Sequence, residues 1–176
     1  FGAGGIGLNI LQASKLISAW PIIAVDLHEN RLDLASKLNA THVINGSQED
    51  AFKKIREILG GDNLDVFVDN TGIPNVIENG YKLLNKKGRL ILVGVPVKGS
   101  EISINSLPLH FGKRITGSHG GEALPHEDIP RLLNLMNQGI FSAKDLITAR
   151  YSLENINDAI NSMCNGSTSG RVIINL

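Results

Sequence analysis

Gly2, Gly4 and Gly7 stand in the spacing G-x-G-x-x-G at the head of a helix-patterned run, and the short apolar run after that helix closes on an acid, Asp26. Few folds accept this order. The first glycine lets the chain turn tightly, the second lets backbone approach an anion, and the third lets helix pack close on strand. The helix that follows, read over Ile6–Ile17, aims its unpaired N–H groups and its dipole at the turn. Taken alone, the glycine spacing also fits a tight turn with no ligand.

The rest of the chain extends the alternation of strand and helix. Strands are expected at Ile22–Val25, His42–Ile44, Val66–Asp69 and Leu90–Val93, the last a continuous apolar run suited to a central parallel strand. Helices are expected at Asn30–Leu38, at Asp50–Leu59 before the breaker Gly60-Gly61-Asp62, and at Asn75–Leu84, with a turn at Lys87-Gly88. Beyond Val95-Pro96 the rhythm changes. Ile102-Ser103-Ile104 alternates like an edge strand, and Arg114–Thr116 reads as a sixth strand. His126–Gln138 and Glu154–Asn165 read as helices, and Arg171–Leu176 as a closing strand. The fold class is therefore α/β, a doubly wound parallel sheet of Rossmann type, with its first strand truncated at Phe1. Residues 1–118 are expected to form the dinucleotide-binding domain. Residues 119–176 are expected to return to a catalytic domain that this sequence does not contain.

Asp26 gives the glycine turn its chemistry. An acid at the end of the second strand is placed to accept the ribose hydroxyls of an adenosine. Its plain alternative is an N-cap or a solvated carboxylate. A carboxylate at that point repels a 2′-phosphate and so predicts NAD rather than NADP. Leu27 adjoins it. Arg31, early in the next helix, is read as flanking the adenine-ribose edge, although an arginine there can also take a 2′-phosphate or stay solvated.

Composition narrows the partners. Hydrophobic residues make up 42% of the chain, enough for a core, and 17 basic residues balance 17 acidic ones. Neutrality gives no electrostatic reason to expect nucleic acid or an anionic membrane. No apolar run nears the roughly 20 residues of a membrane helix. The one cysteine, Cys164, cannot form an intrachain disulfide and fits a reducing, cytoplasmic setting. The five histidines, His28, His42, His110, His119 and His126, show no ligand-like spacing, and no nucleophile-base arrangement stands out. No catalytic residue and no metal ligand is assigned.

The ordered set Gly2–Leu8, Ala24-Val25-Asp26, Lys37–Asn45, Asp65–Gly72, Leu92–Pro96 and Gly170–Ile174 resembles the coenzyme-binding half of the zinc-dependent medium-chain alcohol dehydrogenases. The resemblance covers nearly the whole chain, and it implies roles. Gly2, Gly4, Gly5, Ile6 and Gly7 would cradle pyrophosphate, with Arg171 reaching it. Asn70 and Thr71 would lie near the adenine or ribose edge. Val93, Gly94 and Val95 would lie against the nicotinamide ribose, and Ser118 and His119 near the nicotinamide end. Ile102–Ile104 would sit at a homodimer or homotetramer interface. The cofactor implied is NAD, the substrate a small alcohol or polyol, and the zinc would belong to the catalytic domain outside this sequence. Three other readings of the residues stay open: a zinc-free reductase of the same family, an S-adenosylmethionine-dependent methyltransferase, and a non-catalytic binding module on the same fold.

Overall fold

The computed structural model describes all 176 residues. In chain order it contains α1 (Gly5–Leu16), β1 (Ile23–Asp26), α2 (Glu29–Lys37), β2 (His42–Asn45), α3 (Ala51–Leu59), β3 (Leu64–Asp69) and α4 (Pro74–Leu83). These are followed by β4 (Leu84–Leu92), β5 (Arg114–Gly117), α5 (Pro125–Asn137), β6 (Ile147–Ser152), α6 (Ile156–Cys164) and β7 (Arg171–Asn175). Every strand pair is parallel, and the connections from β1 to β2, β3 to β4 and β6 to β7 each carry a helix, as parallel pairing requires. The α/β class expected from the sequence is the one observed. Contacts gather the chain into two compact units, one of Phe1–Gly2 with Gln48–Glu122, the other of Ala3–Ser47 with Ala123–Leu176.

The first unit is built on the sheet β3-β4-β5. One face of that sheet presents Phe67 and Leu90, which pack with Ile77, Tyr81 and Leu84 into a core. Phe1 completes it by stacking on Phe52 and Phe67, each ring centroid 4.9 Å away. The terminal ammonium of Phe1 donates to the Val68 carbonyl, and the Phe1 carbonyl accepts the Asn70 N–H, so this single residue pairs with β3 as a strand would. Asp50 caps α3 by accepting the N–H groups of Phe52 and Lys53, and Gly60 ends the helix in the left-handed conformation. Lys113 is buried. Its ammonium donates to the Tyr81 carbonyl at 3.0 Å and lies 4.5 Å from the Tyr81 ring centre, and desolvation lowers its pKa.

Three expectations need correction. Leu84 to Gly88 is not a helix end and a turn but the start of β4. A Cβ at Gly88 would meet Leu84 Cβ at 2.9 Å and the Leu64 carbonyl at 3.1 Å, so glycine serves close strand packing there. Ile102–Ile104 forms no strand. Both isoleucines pack against the core of their own unit, while Glu78 accepts the Ser103 N–H and the Tyr81 hydroxyl donates to the Asn105 carbonyl. The alternation was real, but the helix α4, not a neighbouring strand, takes up its polar groups. Finally, Ile147–Ser152 is a strand that the sequence reading left out, paired with β7.

The second unit holds the parallel pairs β1-β2 and β6-β7. Its core joins Ala3, Leu8 and Leu11 to Ile22, Ala24, Ala35, Leu38 and Leu146. Buried Gln12 on α1 makes a reciprocal pair with the backbone of Ser142, its amide nitrogen donating at 3.0 Å and its oxygen accepting at 2.8 Å. That pair ties the glycine helix to the loop ahead of β6.

Candidate functional site

The second unit gathers residues 3–7 of the glycine turn, Asp26, Leu27, Arg31 and Arg171. Gly4 is the N-cap of α1 and makes no side-chain cap; a Cβ built on it has nothing within 4 Å. Open space therefore faces a helix N-terminus of unpaired N–H groups, the geometry of an anion cradle. Gly7 is buried against the fold, whereas Ile6 is exposed. The guanidinium of Arg171, at the start of β7, lies over Gly5: a Cβ there would sit 2.6 Å from Nε and 2.7 Å from Cζ. So Gly5 is glycine to admit an arginine beside the helix N-terminus, and both features favour an anion. Gly5→Ala should displace this flexible side chain at little cost in stability. NADH affinity should then fall about fivefold, the scale of one partly exposed charge contact. Calorimetry on Gly5→Ala, Arg171→Gln and the double variant checks it. Additive losses in the double variant would show that the methyl acts some other way.

Asp26 ends β1 with its carboxylate buried. Oδ2 accepts the Ala3 N–H at 2.8 Å, and Oδ1 accepts the N–H groups of Leu27 at 2.8 Å and His28 at 3.1 Å. The carboxylate thus pins the glycine turn to the strand end before any ligand arrives. Of its about four lone-pair positions, one on Oδ2 stays open, which narrows the expected capture of two hydroxyls to one well-placed acceptor. Arg31 Nη1 stands 3.6 Å from Oδ1 in a partly screened ion pair. Leu27 is 60% exposed and offers an apolar surface beside the acid.

The first unit gathers Gly2, Asn70, Thr71, Val93, Gly94, Val95, Ser118 and His119. Most of them follow the carboxyl ends of β3, β4 and β5, where ligands bind in open α/β sheets. Gly2, with φ +88°, needs glycine; its carbonyl accepts the Asn70 side-chain amide at 3.1 Å. The Asn70 Oδ1 is buried and has no hydrogen-bond partner, an acceptor ready for a donor.

Asp69, which sequence reasoning treated only as a strand end, organises this group. It is fully buried. Its carboxylate accepts the Thr71 N–H, the Thr71 hydroxyl and the Gly72 N–H, and its carbonyl accepts the N–H groups of Val93 and Gly94. The signal was present, since an Asp followed by Thr and Gly at a strand end is the signature of a side-chain-stabilised turn. The two loops press together so closely that neither Gly72 nor Gly94 leaves room for a Cβ. Val95 beyond them is 90% exposed. Ser118 donates its N–H to the Leu92 carbonyl, and its hydroxyl accepts the Gly121 N–H. His119 is exposed, and its side chain makes no hydrogen bond.

No three His, Cys, Asp or Glu side chains gather into a group able to hold a metal ion.

A family model described as zinc-binding dehydrogenase matches residues 5–138. The chain is similar to the sorbitol dehydrogenase of Bacillus subtilis (strain 168), 32% identical over 159 residues, which are 90% of this chain and 44% of that protein. It is likewise similar to the NDMA-dependent alcohol dehydrogenase of Amycolatopsis methanolica, 30% identical over 99% of this chain and 48% of the relative. Among solved structures, benzyl alcohol dehydrogenase from Acinetobacter calcoaceticus superposes with a TM-score of 0.89 at 36% identity, over 98% of this chain and 47% of that one. The chain spans about half the length of the curated relatives it matches.

Proposed function

Because this chain belongs to the zinc-binding dehydrogenase family, we propose that it is the NAD(H)-binding part of an alcohol or polyol dehydrogenase. The observation that carries this reading is the buried carboxylate of Asp26, locked to the glycine turn through Ala3 and keeping one acceptor position open. When bound, NAD supplies the hydride acceptor for alcohol oxidation. The chain's own residues bind and orient. The α1 N-terminus with Arg171 neutralises pyrophosphate. Asp26 takes the adenosine ribose and repels a 2′-phosphate. The loops held by Asp69 present Val93, Gly94 and Val95 to the nicotinamide end, with Ser118 and His119 beside them. Zinc would be held by residues outside this chain, as the expected place of the catalytic domain implies.

The relatives' names point to small alcohols and polyols as substrates. Free Cys164 fits a cytoplasmic setting. Self-association through residues 102–104 would have to use their backbone, since Ile102 and Ile104 pack against the chain's own core; analytical ultracentrifugation reads the oligomeric state. The family match leaves no place for the methyltransferase alternative.

Calorimetric titration tests the cofactor. NADH should bind about tenfold or more tightly than NADPH, a difference of about 1.4 kcal/mol or more. Equal affinities, or tighter NADPH, would remove Asp26 from the role of reader.

A further inference from the structure

Arg89 and Arg114 are register partners on the neighbouring parallel strands β4 and β5. Residues paired this way send their side chains to the same face, a strand spacing apart. Both are exposed, and neither guanidinium makes an ion pair or a hydrogen bond within the chain. Lys87, whose Cγ lies 3.7 Å from where a Cβ of Gly112 would sit, adds a third exposed cation at the entrance to the same two strands. Lys113 is not part of this set, because its ammonium is turned into the core against Tyr81. The nearest acid along β3, Asp65, is engaged by the Asn85 side-chain amide.

Like charges directly opposite each other on neighbouring strands disfavour the sheet. The loops that follow β3, β4 and β5 lie at the other end of these strands. Val93 is four residues beyond Arg89, about 13 Å along the strand. The cluster is therefore separate from the coenzyme residues.

We propose that Arg89 and Arg114, assisted by Lys87, form a second anion site, selective for a phosphoryl group. A carboxylate has two oxygens and is matched by one guanidinium fork. A phosphoryl dianion has three terminal oxygens, enough to take a fork from each arginine when the two forks share one oxygen, and each oxygen has a further lone pair for the lysine. Its binding turns the repulsion between the two cations into charge-assisted hydrogen bonds.

The test is a titration of the nitrogen-15-labelled chain with inorganic phosphate, and separately with glycerol phosphate, at constant ionic strength kept with chloride. The side-chain Nε resonances are the readout. Those of Arg89 and Arg114 should shift together along one saturating curve. Arg89→Gln and Arg114→Gln should each weaken that curve about tenfold or more, with the backbone spectrum otherwise preserved. Tighter glycerol phosphate identifies a phosphate ester as the ligand, and tighter inorganic phosphate the free ion. Arg89 and Arg114 shifts that drift linearly, or that follow different curves, would overturn the site. So would variants that leave the remaining arginine's curve unchanged. NADH affinity should be the same in both variants, so this result stands apart from the coenzyme reading.

Discussion

Gly94→Ala should lower the melting temperature of this chain by about 6 to 12 °C, a loss of about 3 kcal/mol, for the addition of one methyl group. The methyl would stand 2.5 Å from the carbonyl carbon of Asn70 and from the Thr71 nitrogen, and closer still to the Gly72 nitrogen. Overpacking a core costs about 1 to 3 kcal/mol when side chains can give way. Here the obstacle is backbone, and that backbone is fixed. Thr71 and Gly72 are held by the buried Asp69 carboxylate, and Gly94 itself donates to the Asp69 carbonyl at 2.9 Å. Moving either loop breaks hydrogen bonds to a fully buried acid, where unmet donors cost the most. Gly4→Ala is the control, with nothing within 4 Å of its Cβ and an ordinary negative φ. It should melt with the wild type and yet bind NADH more weakly, because its methyl enters the anion cradle. Calorimetric melts of the two variants decide the matter. A Gly94→Ala transition within a degree or so of wild type would mean that the loops are free to separate.

The contrast between those two glycines shows what the sequence carried and what it did not. The turn over Gly2–Gly7 was legible because its spacing follows from local geometry, and the helix over Ala51–Leu59 because its start and stop lie in adjacent residues, Asp50 and Gly60. Asp26 was legible as a position. What it does there was not, since its bond to Ala3 joins residues 23 apart, and nothing along the chain announces that pairing. The same holds for Gly5, whose need for glycine comes from Arg171 near the far end of the chain. Gly94 falls in the same class, because its constraint is imposed by the Asn70–Gly72 loop. The error at Ile102–Ile104 has a related cause. A period of two says that alternate side chains are buried, but not whether a strand or the flank of a helix buries them, and Glu78 and Tyr81 on α4 are the answer here. β6 escaped notice because Arg150 interrupts its apolar positions, and its pairing with β7 lies about twenty residues away.

Asp26→Ala should reduce NADH affinity by about 10- to 100-fold while NADPH affinity holds or rises, so that the preference for NADH disappears. The range corresponds to the loss of one hydrogen bond to a charged group, about 1.5 to 3 kcal/mol. Stability should fall as well, by about 2 kcal/mol. Of the three N–H groups the carboxylate holds, that of Ala3 is buried and would be orphaned, whereas those of exposed Leu27 and half-buried His28 can turn to water. Asp26→Asn keeps the bulk of the side chain and one acceptor while removing its charge. Its amide oxygen can replace Oδ1 toward Leu27 and His28, but its NH2 group then faces the Ala3 N–H, donor against donor. The turn loses its pin in both variants, and Arg31 loses its anionic partner in both. If charge is what rejects the 2′-phosphate, Asn should admit NADPH as readily as Ala does. If the bulk of the side chain, and not its charge, rejects the 2′-phosphate, Asn should still disfavour NADPH relative to Ala. Titrating both variants with both coenzymes, alongside their melts, distinguishes these outcomes. A wild-type NADH to NADPH ratio in both would assign Asp26 to holding the turn and leave the reading of the ribose to another residue.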